Sequence, residues 1–337
     1  MTASTRTLSV VVPCHDEEAC IPLFLRALAE AADAIAQSSP GTAVELVLVD
    51  DGSRDRTAVL CRGAADDAAA GTWPFVVRWL SLSRNFGKEG ALLAGIDVAV
   101  GDLVAVMDAD LQDPPSLLPR MLAMLDADPG LDCVATRRST RDGEPPVRSW
   151  CSRLFYRLMN AMSPVEVPDG ARDFRMMRRP MADAVAALPE RNRFSKGLYA
   201  WVGFRTAWID YPNVRRAAGR SAWSFLSLSR YALDGLSSCS TLPLTIASYA
   251  GVLLCAVSFV ATGFIVVRAA LFGDPVPGWP SLACLITFIG GLQLLCLGVI
   301  GRYLAKTYVE AKHRPAYIVR DSNVGAPARG VDGRRAS

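Results

Sequence analysis

The chain has 337 residues, 51% of them apolar, and its 36 Lys and Arg nearly balance 33 Asp and Glu for a net charge of +3. That balance gives no whole-chain electrostatic case for nucleic acid. Nine cysteines without a CxxC pair, beside only His15 and His313, exclude an evident zinc site or disulfide framework and fit reduced thiols in the cytosol.

The length allows one large domain or two modest ones. The opening MTASTRTLSVVVP has a polar lead and an apolar run of strand length, too short for a signal peptide, so the first domain is expected in the cytosol. Up to about Leu188 strand and helix patterns alternate, as in a layered α/β domain. Leu8 to Val12 reads as a buried strand, followed by Pro13 and the polar cluster His15, Asp16, Glu17 and Glu18. An alanine-rich helix runs to the SSPG turn at 38–41. Val44 to Val49 is a second strand ending in Asp50, Asp51, Gly52 and Ser53, with Ser53 or Asp55 placed to cap the next helix. Val76 to Leu82 is a third strand and Lys88 to Val100 a helix; Leu103 to Met107, a fourth strand, leads into Asp108, Ala109 and Asp110.

Three strands therefore deliver polar and acidic side chains at their exits, the end where open α/β sheets bind ligands. On an extended chain Asp108, Asp110 and Gln112 point to one side and can converge on one hard cation, which prefers oxygen. Such a cation can neutralise a departing diphosphate. Taken alone, the same spacing also describes an acidic loop after a buried strand. Neither GxGxxG after the first strand nor GxxxxGK[ST] is present, against a dinucleotide fold or a P-loop. Arg137, Arg138 and Arg141 follow the strand around Cys133 to Thr136, with Arg148 and Arg153 on the helix behind them. Guanidinium forks of this kind suit a phosphate group.

Leu242 to Val267 and Pro280 to Gly301 carry no charged residue, and each is long enough to cross a bilayer, which takes roughly 20 apolar residues. Arg302, Lys306, Lys312 and Arg314 follow the second span, so both termini are expected on the cytoplasmic side. Trp223, Phe225, Leu226, Leu228 and Tyr231 describe an interfacial helix before the first span. The tail after Arg320 is polar, rich in small residues and expected to be disordered. The implied division is a catalytic domain over 1–220, a juxtamembrane segment over 221–241, spans at 242–268 and 280–301, a cytosolic segment over 302–320 and a tail over 321–337.

The motifs VVPCHDEE, LVDDGSRDRT, LSRNFGKEGALLAGI, DADLQDPP, ARDFRMM, RAAGRSAWS and GLQLLCLGVIGRYLAKTYVEAKHRPAYIV occur in that order. With them the chain resembles the inverting family 2 glycosyltransferases of the GT-A fold, and within these the polyprenyl-phosphate glycosyltransferases, the group of bactoprenol glucosyltransferases and dolichyl-phosphate mannose synthases. The resemblance implies a nucleotide-sugar domain with a mostly parallel sheet flanked by helices, then interfacial helices and a two-helix membrane hairpin. It places Pro13, His15, Glu17 and Asp50 around uridine, with Asp51 supporting the loop. His15 stands where the family usually has tyrosine, and Asp16 where it has asparagine. Asp108 is placed at the ribose or diphosphate, Asp110 and Gln112 on magnesium or manganese, and Arg84 and Lys88 on the donor. Arg138, Arg141, Arg175, Arg216 and Ser221 fall on the acceptor phosphate side. Ala222 and Arg220 replace residues that are commonly lysine and acidic, and Arg302 stands at a usually acidic position.

The implied reaction moves a hexose, glucose by default, from a UDP-sugar to polyprenyl phosphate in the bilayer with inversion at the anomeric carbon. Related enzymes assemble as tetramers. Asp173 matches the family's general base. A phosphate monoester with a second pKa near 6 is already largely dianionic at neutral pH, so Asp173 reads equally as a positioning group. Two rivals share the fold: a processive polysaccharide synthase, whose usual QxxRW segment is absent here, and a catalytically silent nucleotide-sugar-binding scaffold.

Overall fold

A computed structural model describes residues 6–138, 168, 170–191, 193–212, 278–325 and 331–332, with isolated residues between 244 and 271. The chain divides into two units, one of residues 1–232 and 314–337, the other of residues 233–313.

The first unit is built on a nine-stranded mixed sheet. In chain order its elements are β1 (Arg6–Cys14), α1 (Ile21–Ser38), β2 (Thr42–Asp50), α2 (Thr57–Ala69), β3 (Val76–Leu82), α3 (Lys88–Val98), β4 (Leu103–Val106), α4 (Leu118–Ala127), β5 (Cys133–Arg138), β6 (Ala171–Arg178), α5 (Arg179–Ala187), α6 (Ser195–Trp201), β7 (Thr206–Tyr211), β8 (Ile318–Ser322) and β9 (Val331–Asp332). The order across the sheet is β7-β5-β6-β4-β1-β2-β3-β8-β9. The central strands β4, β1, β2 and β3 are parallel, so their carboxyl ends share one edge; β6 runs antiparallel to β4, and β8 antiparallel to β3. The expectation of a mostly parallel sheet therefore holds for the centre, and the flanks make the whole sheet mixed.

Unbroken apolar runs form these strands because both faces are covered. On one face Leu8, Val10, Leu46 and Leu48 pack with Phe24 and Leu28 of α1; on the other Val11, Val47, Val49 and Leu80 pack with Leu92 and Ile96 of α3. Gly95 lets α3 lie close on the sheet, since an added Cβ would come within 2.3 Å of a Val11 methyl. The sheet is completed from far along the chain. Tyr317 and Val319 are buried against α3 and β3, the Tyr317 hydroxyl donates to Asp97 at 2.7 Å, and Arg191 donates to the carbonyls of Arg314 and Pro315.

In the second unit one long helix is described, α7 (Trp279–Ala311). Among the described residues it is the one helix long and apolar enough to cross a membrane; the qualifying stretch is Phe288–Ala311, with none of it buried. It continues ten residues past the expected boundary at Gly301, because Arg302, Lys306 and Glu310 lie in a sequence with no helix breaker. It ends where His313 takes a positive φ of 46°, two residues before Pro315. The span expected over 242–268 has only isolated helical residues described, and the 221–241 segment lies outside the described residues. Asp321 and Ser322 lie in β8 and a short β9 follows, where a disordered tail was expected.

Candidate active site

The exits of β1, β2 and β3 meet as a rigid cradle. Strand register sets Cys14 beside Asp50 and Asp50 beside Ser81, and the Asp51 amide donates to the Cys14 carbonyl at 2.8 Å. Both carboxylates are buried, and both are answered by neutral donors. Asp50 accepts from the Ser81 hydroxyl at 2.7 Å and the Ser53 amide at 3.0 Å; Asp51 accepts from the amides of Phe86 at 2.7 Å and Gly87 at 2.9 Å. Burial pushes the Asp51 pKa up, while those two amides act in the opposite sense. Gly52, at φ +64°, permits the close approach of the β2 and β3 exits: a Cβ there would sit 2.4 Å from the Arg84 carbonyl carbon.

Exposed His15 ties the same loops together. Its Nδ1 lies 3.0 Å from the Asp51 carbonyl and its Nε2 3.0 Å from Asn85 Nδ2. A carbonyl can only accept, so Nδ1 carries the proton and Nε2 accepts from Asn85. Asp16, Glu17 and Glu18 stitch β1's exit to α2 through Ser53, Arg54, Asp55, Arg56 and Thr57. Neither Ser53 nor Asp55 occupies the N-cap itself, which is Arg56, although Asp55 accepts from the Thr57 amide at 2.9 Å. Pro13 is half-buried at this edge, and exposed Arg84 lies over the Phe86 ring at 4.1 Å.

The exit of β4 is different. The strand ends at Val106, and Leu111 has a positive φ of 59°, so a turn, not an extended chain, separates Asp110 from Gln112; the Gln112 amide donates to Asp110 Oδ1 at 3.0 Å. Lys88, the first residue of α3, places Nζ 2.6 Å from Asp108 Oδ1, 2.9 Å from Asp108 Oδ2 and 2.7 Å from Asp173 Oδ2. Burial opposes the lysine charge, but the two carboxylates outweigh it and hold the Lys88 pKa well above its usual value. Burial likewise opposes ionisation of Asp173, yet Lys88, Lys196 and Arg175 hold its carboxyl well below the usual range. Arg138 at the end of β5 donates through Nη2 to Gln112 Oε1 at 3.0 Å.

Several partners here were not foreseen. Asp113, fully buried, takes Arg172 Nε at 2.8 Å and the Tyr211 hydroxyl, tying the loop after β4 to β6 and β7. Glu89, next to Lys88, accepts from the Ser195 amide at 3.1 Å and from its hydroxyl, fixing the start of α6 beside Lys196. Asp113 and Glu89 sit inside recognised motifs; Lys196 carries no sequence signal of its own. Arg175 is one of the residues that the resemblance places on the acceptor phosphate side. It is 3% exposed, its guanidinium donates to the carbonyls of Asp173 and Arg172, and it covers the Tyr199 ring at 3.6 Å, so it is a strut of β6. Arg137 pairs with Asp210 of β7. Arg141, Arg148, Arg153, Arg216 and Ser221 lie outside the described residues.

Among the described residues no group of three or more His, Cys, Asp or Glu could hold a metal ion by itself. The donors present are hard oxygens of Asp110, Gln112 and Asp108. That set fits magnesium or manganese bound through one or two carboxylates with phosphate and water completing the shell, and it does not fit a closed zinc centre.

Residues 9–185 match glycosyl transferase family 2. The chain is 38% identical over 320 residues to the SfII prophage-derived bactoprenol glucosyl transferase of Shigella flexneri, covering 95% of this chain and 99% of that one. It is 37% identical over 313 residues to the prophage bactoprenol glucosyl transferase homolog of Escherichia coli K12, covering 93% and 98%. Among solved structures it is similar to a mannosyltransferase from Pyrobaculum calidifontis in complex with GDP-Man and Mn2+, at 16% identity and a TM-score of 0.41, covering 92% of this chain and 87% of that one. With parallel strands delivering acidic side chains to one edge and relatives of this kind along nearly its whole length, the chain belongs to glycosyl transferase family 2.

Proposed function

We propose that the protein transfers glucose from UDP-glucose to a polyprenyl phosphate in the membrane, with inversion at the anomeric carbon. The carrying observation is the convergence of Asp108, Lys88 and Asp173, with Arg138 bonded to Gln112 beside them. Cations and oxygen donors alternate there over a few ångströms, as a reaction that separates a diphosphate from one phosphate-bearing acceptor requires. The similarity to bactoprenol glucosyl transferases supports the choice of donor and acceptor.

In this reading Pro13, His15, Glu17, Asp50 and Asp51 form the uridine wall, and Arg84 and Lys88 meet the diphosphate. A magnesium or manganese ion at Asp110 and Gln112 supplies Lewis-acid stabilisation of the leaving group when bound. Arg138 and Arg141 orient the acceptor phosphate by paired hydrogen bonds, with Arg216 and Ser221 nearer the lipid. Asp173 acts by position. Its depressed pKa makes it a poor proton acceptor, and the acceptor phosphate, with a second pKa near 6, needs orientation more than deprotonation. Two spans over 242–268 and 280–301, an interfacial segment before them and a cytoplasmic catalytic unit hold the pocket at the headgroup plane, where a long isoprenoid presents its phosphate. Assembly as a tetramer through the spans belongs to the same reading.

Membranes containing the protein, given a panel of labelled UDP-sugars with and without polyprenyl phosphate, test this directly. Label from UDP-glucose in an organic-extractable product that depends on the added lipid is expected. Label in a water-soluble polymer would favour a processive synthase, and absence of transfer from every donor would favour a silent scaffold.

A further inference from the structure

Lys88 holds two carboxylates at once. Its ammonium lies against both oxygens of Asp108 and one oxygen of Asp173, so a diphosphate that draws on it competes with both side chains. The groups around it differ in this respect: Asp50 and Asp51 are held by backbone amides and a serine hydroxyl, which have nowhere to go. Lys88 sits at the tip of a flexible four-carbon stem whose side chain is 35% exposed, so it can change partner.

We infer that Lys88 is a placeholder counter-ion: it neutralises Asp108 while the donor is absent, and thereby makes divalent-metal binding and nucleotide-diphosphate binding depend on each other. This rests on the metal reading proposed above. A divalent ion approaching Asp108 and Asp110 in the donor-free protein meets a fixed positive charge already seated on Asp108. A diphosphate brings the negative charge that draws Lys88 away and leaves Asp108 to the incoming ion. Each ligand therefore opens the site to the other, and by linkage the coupling is the same in both directions. Asp173 keeps hold of the lysine during the exchange, so the ammonium pivots and stays in the site.

The test uses the full chain in detergent, with Mn2+ alone as the probe, its free fraction read by electron paramagnetic resonance, and then with UDP added. The parent is expected to bind Mn2+ weakly alone and more tightly with UDP. K88M is expected to bind Mn2+ alone about tenfold more tightly, within the usual range of coupling between sites, and to lose most of the UDP effect. K88R, which keeps the charge, is expected to behave as the parent. Mn2+ affinity in K88M that is unchanged or weaker, or an undiminished UDP effect, overturns the placeholder role. Should K88M fail to fold, D173N answers in the opposite direction: with Lys88 left to Asp108 alone, Mn2+ affinity without UDP is expected to fall, and a rise overturns the inference. Because this readout is metal on donor-free protein, a parent that glucosylates lipid while K88M shows no change removes only the placeholder role.

Discussion

At the exit of β2 two buried carboxylates, Asp50 and Asp51, are held by amides and a serine hydroxyl that are fixed parts of the sheet and its loops. At the exit of β4 and the start of β6, Asp108 and Asp173 share one lysine ammonium, and Lys196 and Arg175 add positive charge around Asp173. The first arrangement cannot exchange partners and suits a rigid wall for a group that is the same in every turnover. The second is ionic, and its ions can be traded for the charges of a metal, a diphosphate and a phosphate. In the proposed function the contrast is that between a binding wall and a reacting centre within one sheet edge.

The strongest way to break that contrast is from a distance. Deleting the chain after His313 removes β8 and exposes the face that Tyr317 and Val319 cover, at a cost of about 1.5–3 kcal/mol for a large apolar side chain, and it removes the Tyr317 bond to Asp97 of α3. Lys88 begins that helix. The deleted protein is expected to lose its cooperative thermal unfolding and its binding of UDP together; retention of both would show that β8 is an accessory. A soluble catalytic domain made by cutting ahead of the first span needs residues 314–325 restored by a linker.

The next effect is on the ionic side. D173N is expected to slow transfer about a hundredfold at every pH from 6 to 8, the scale on which misplacing a reacting group costs rate, with a profile parallel to the parent's. The sign follows from the depressed pKa. Asp173 stays ionised well below the ordinary aspartate value of about 3.9, so the stability its charge contributes is complete above that pH and is lost only as pH falls further toward its folded pKa. Rate loss in D173N that grows or vanishes across the range would restore the base assignment.

The smallest expected effect is on the fixed side. D51A takes the acceptor from the half-buried Phe86 amide, at about 1–3 kcal/mol of stability, while the Gly87 amide keeps Asn85 Oδ1. It is expected to raise KM for the nucleotide sugar several-fold with little change in kcat. A fall in kcat at unchanged KM would erase the distinction between wall and centre.

Much of the fixed side was legible in the sequence, because an apolar run that ends in LVDDGS announces both a strand and its exit. The ionic side was legible in its residue types and not in its pairings. Lys88 and Asp173 are 85 positions apart, and no periodicity records which ammonium meets which carboxylate. Asp110 and Gln112 were expected to share one side of an extended strand, but a turn at Leu111, a residue whose side chain gives no hint of a positive φ, separates them and bonds the Gln112 amide back to Asp110. Arg175 read as a phosphate ligand by resemblance, but the Tyr199 ring and two carbonyls that hold it come from the tertiary fold. β8 escaped notice because a five-residue run, IVRDS, after a long apolar helix has too few apolar positions to stand out from a tail.

The central claim is that a divalent ion at Asp110 stabilises a UDP leaving group as sugar passes to a lipid phosphate. Its most direct measurement is glucosyl transfer from labelled UDP-glucose to polyprenyl phosphate by the parent and by D110A, each with magnesium or manganese and each with chelator. Chelation and D110A are each expected to reduce transfer about a thousandfold, corresponding to several kcal/mol of lost Lewis-acid stabilisation, and chelator is expected to add nothing further to D110A. Transfer by D110A at the parent's rate, with the parent's response to chelator, would contradict it.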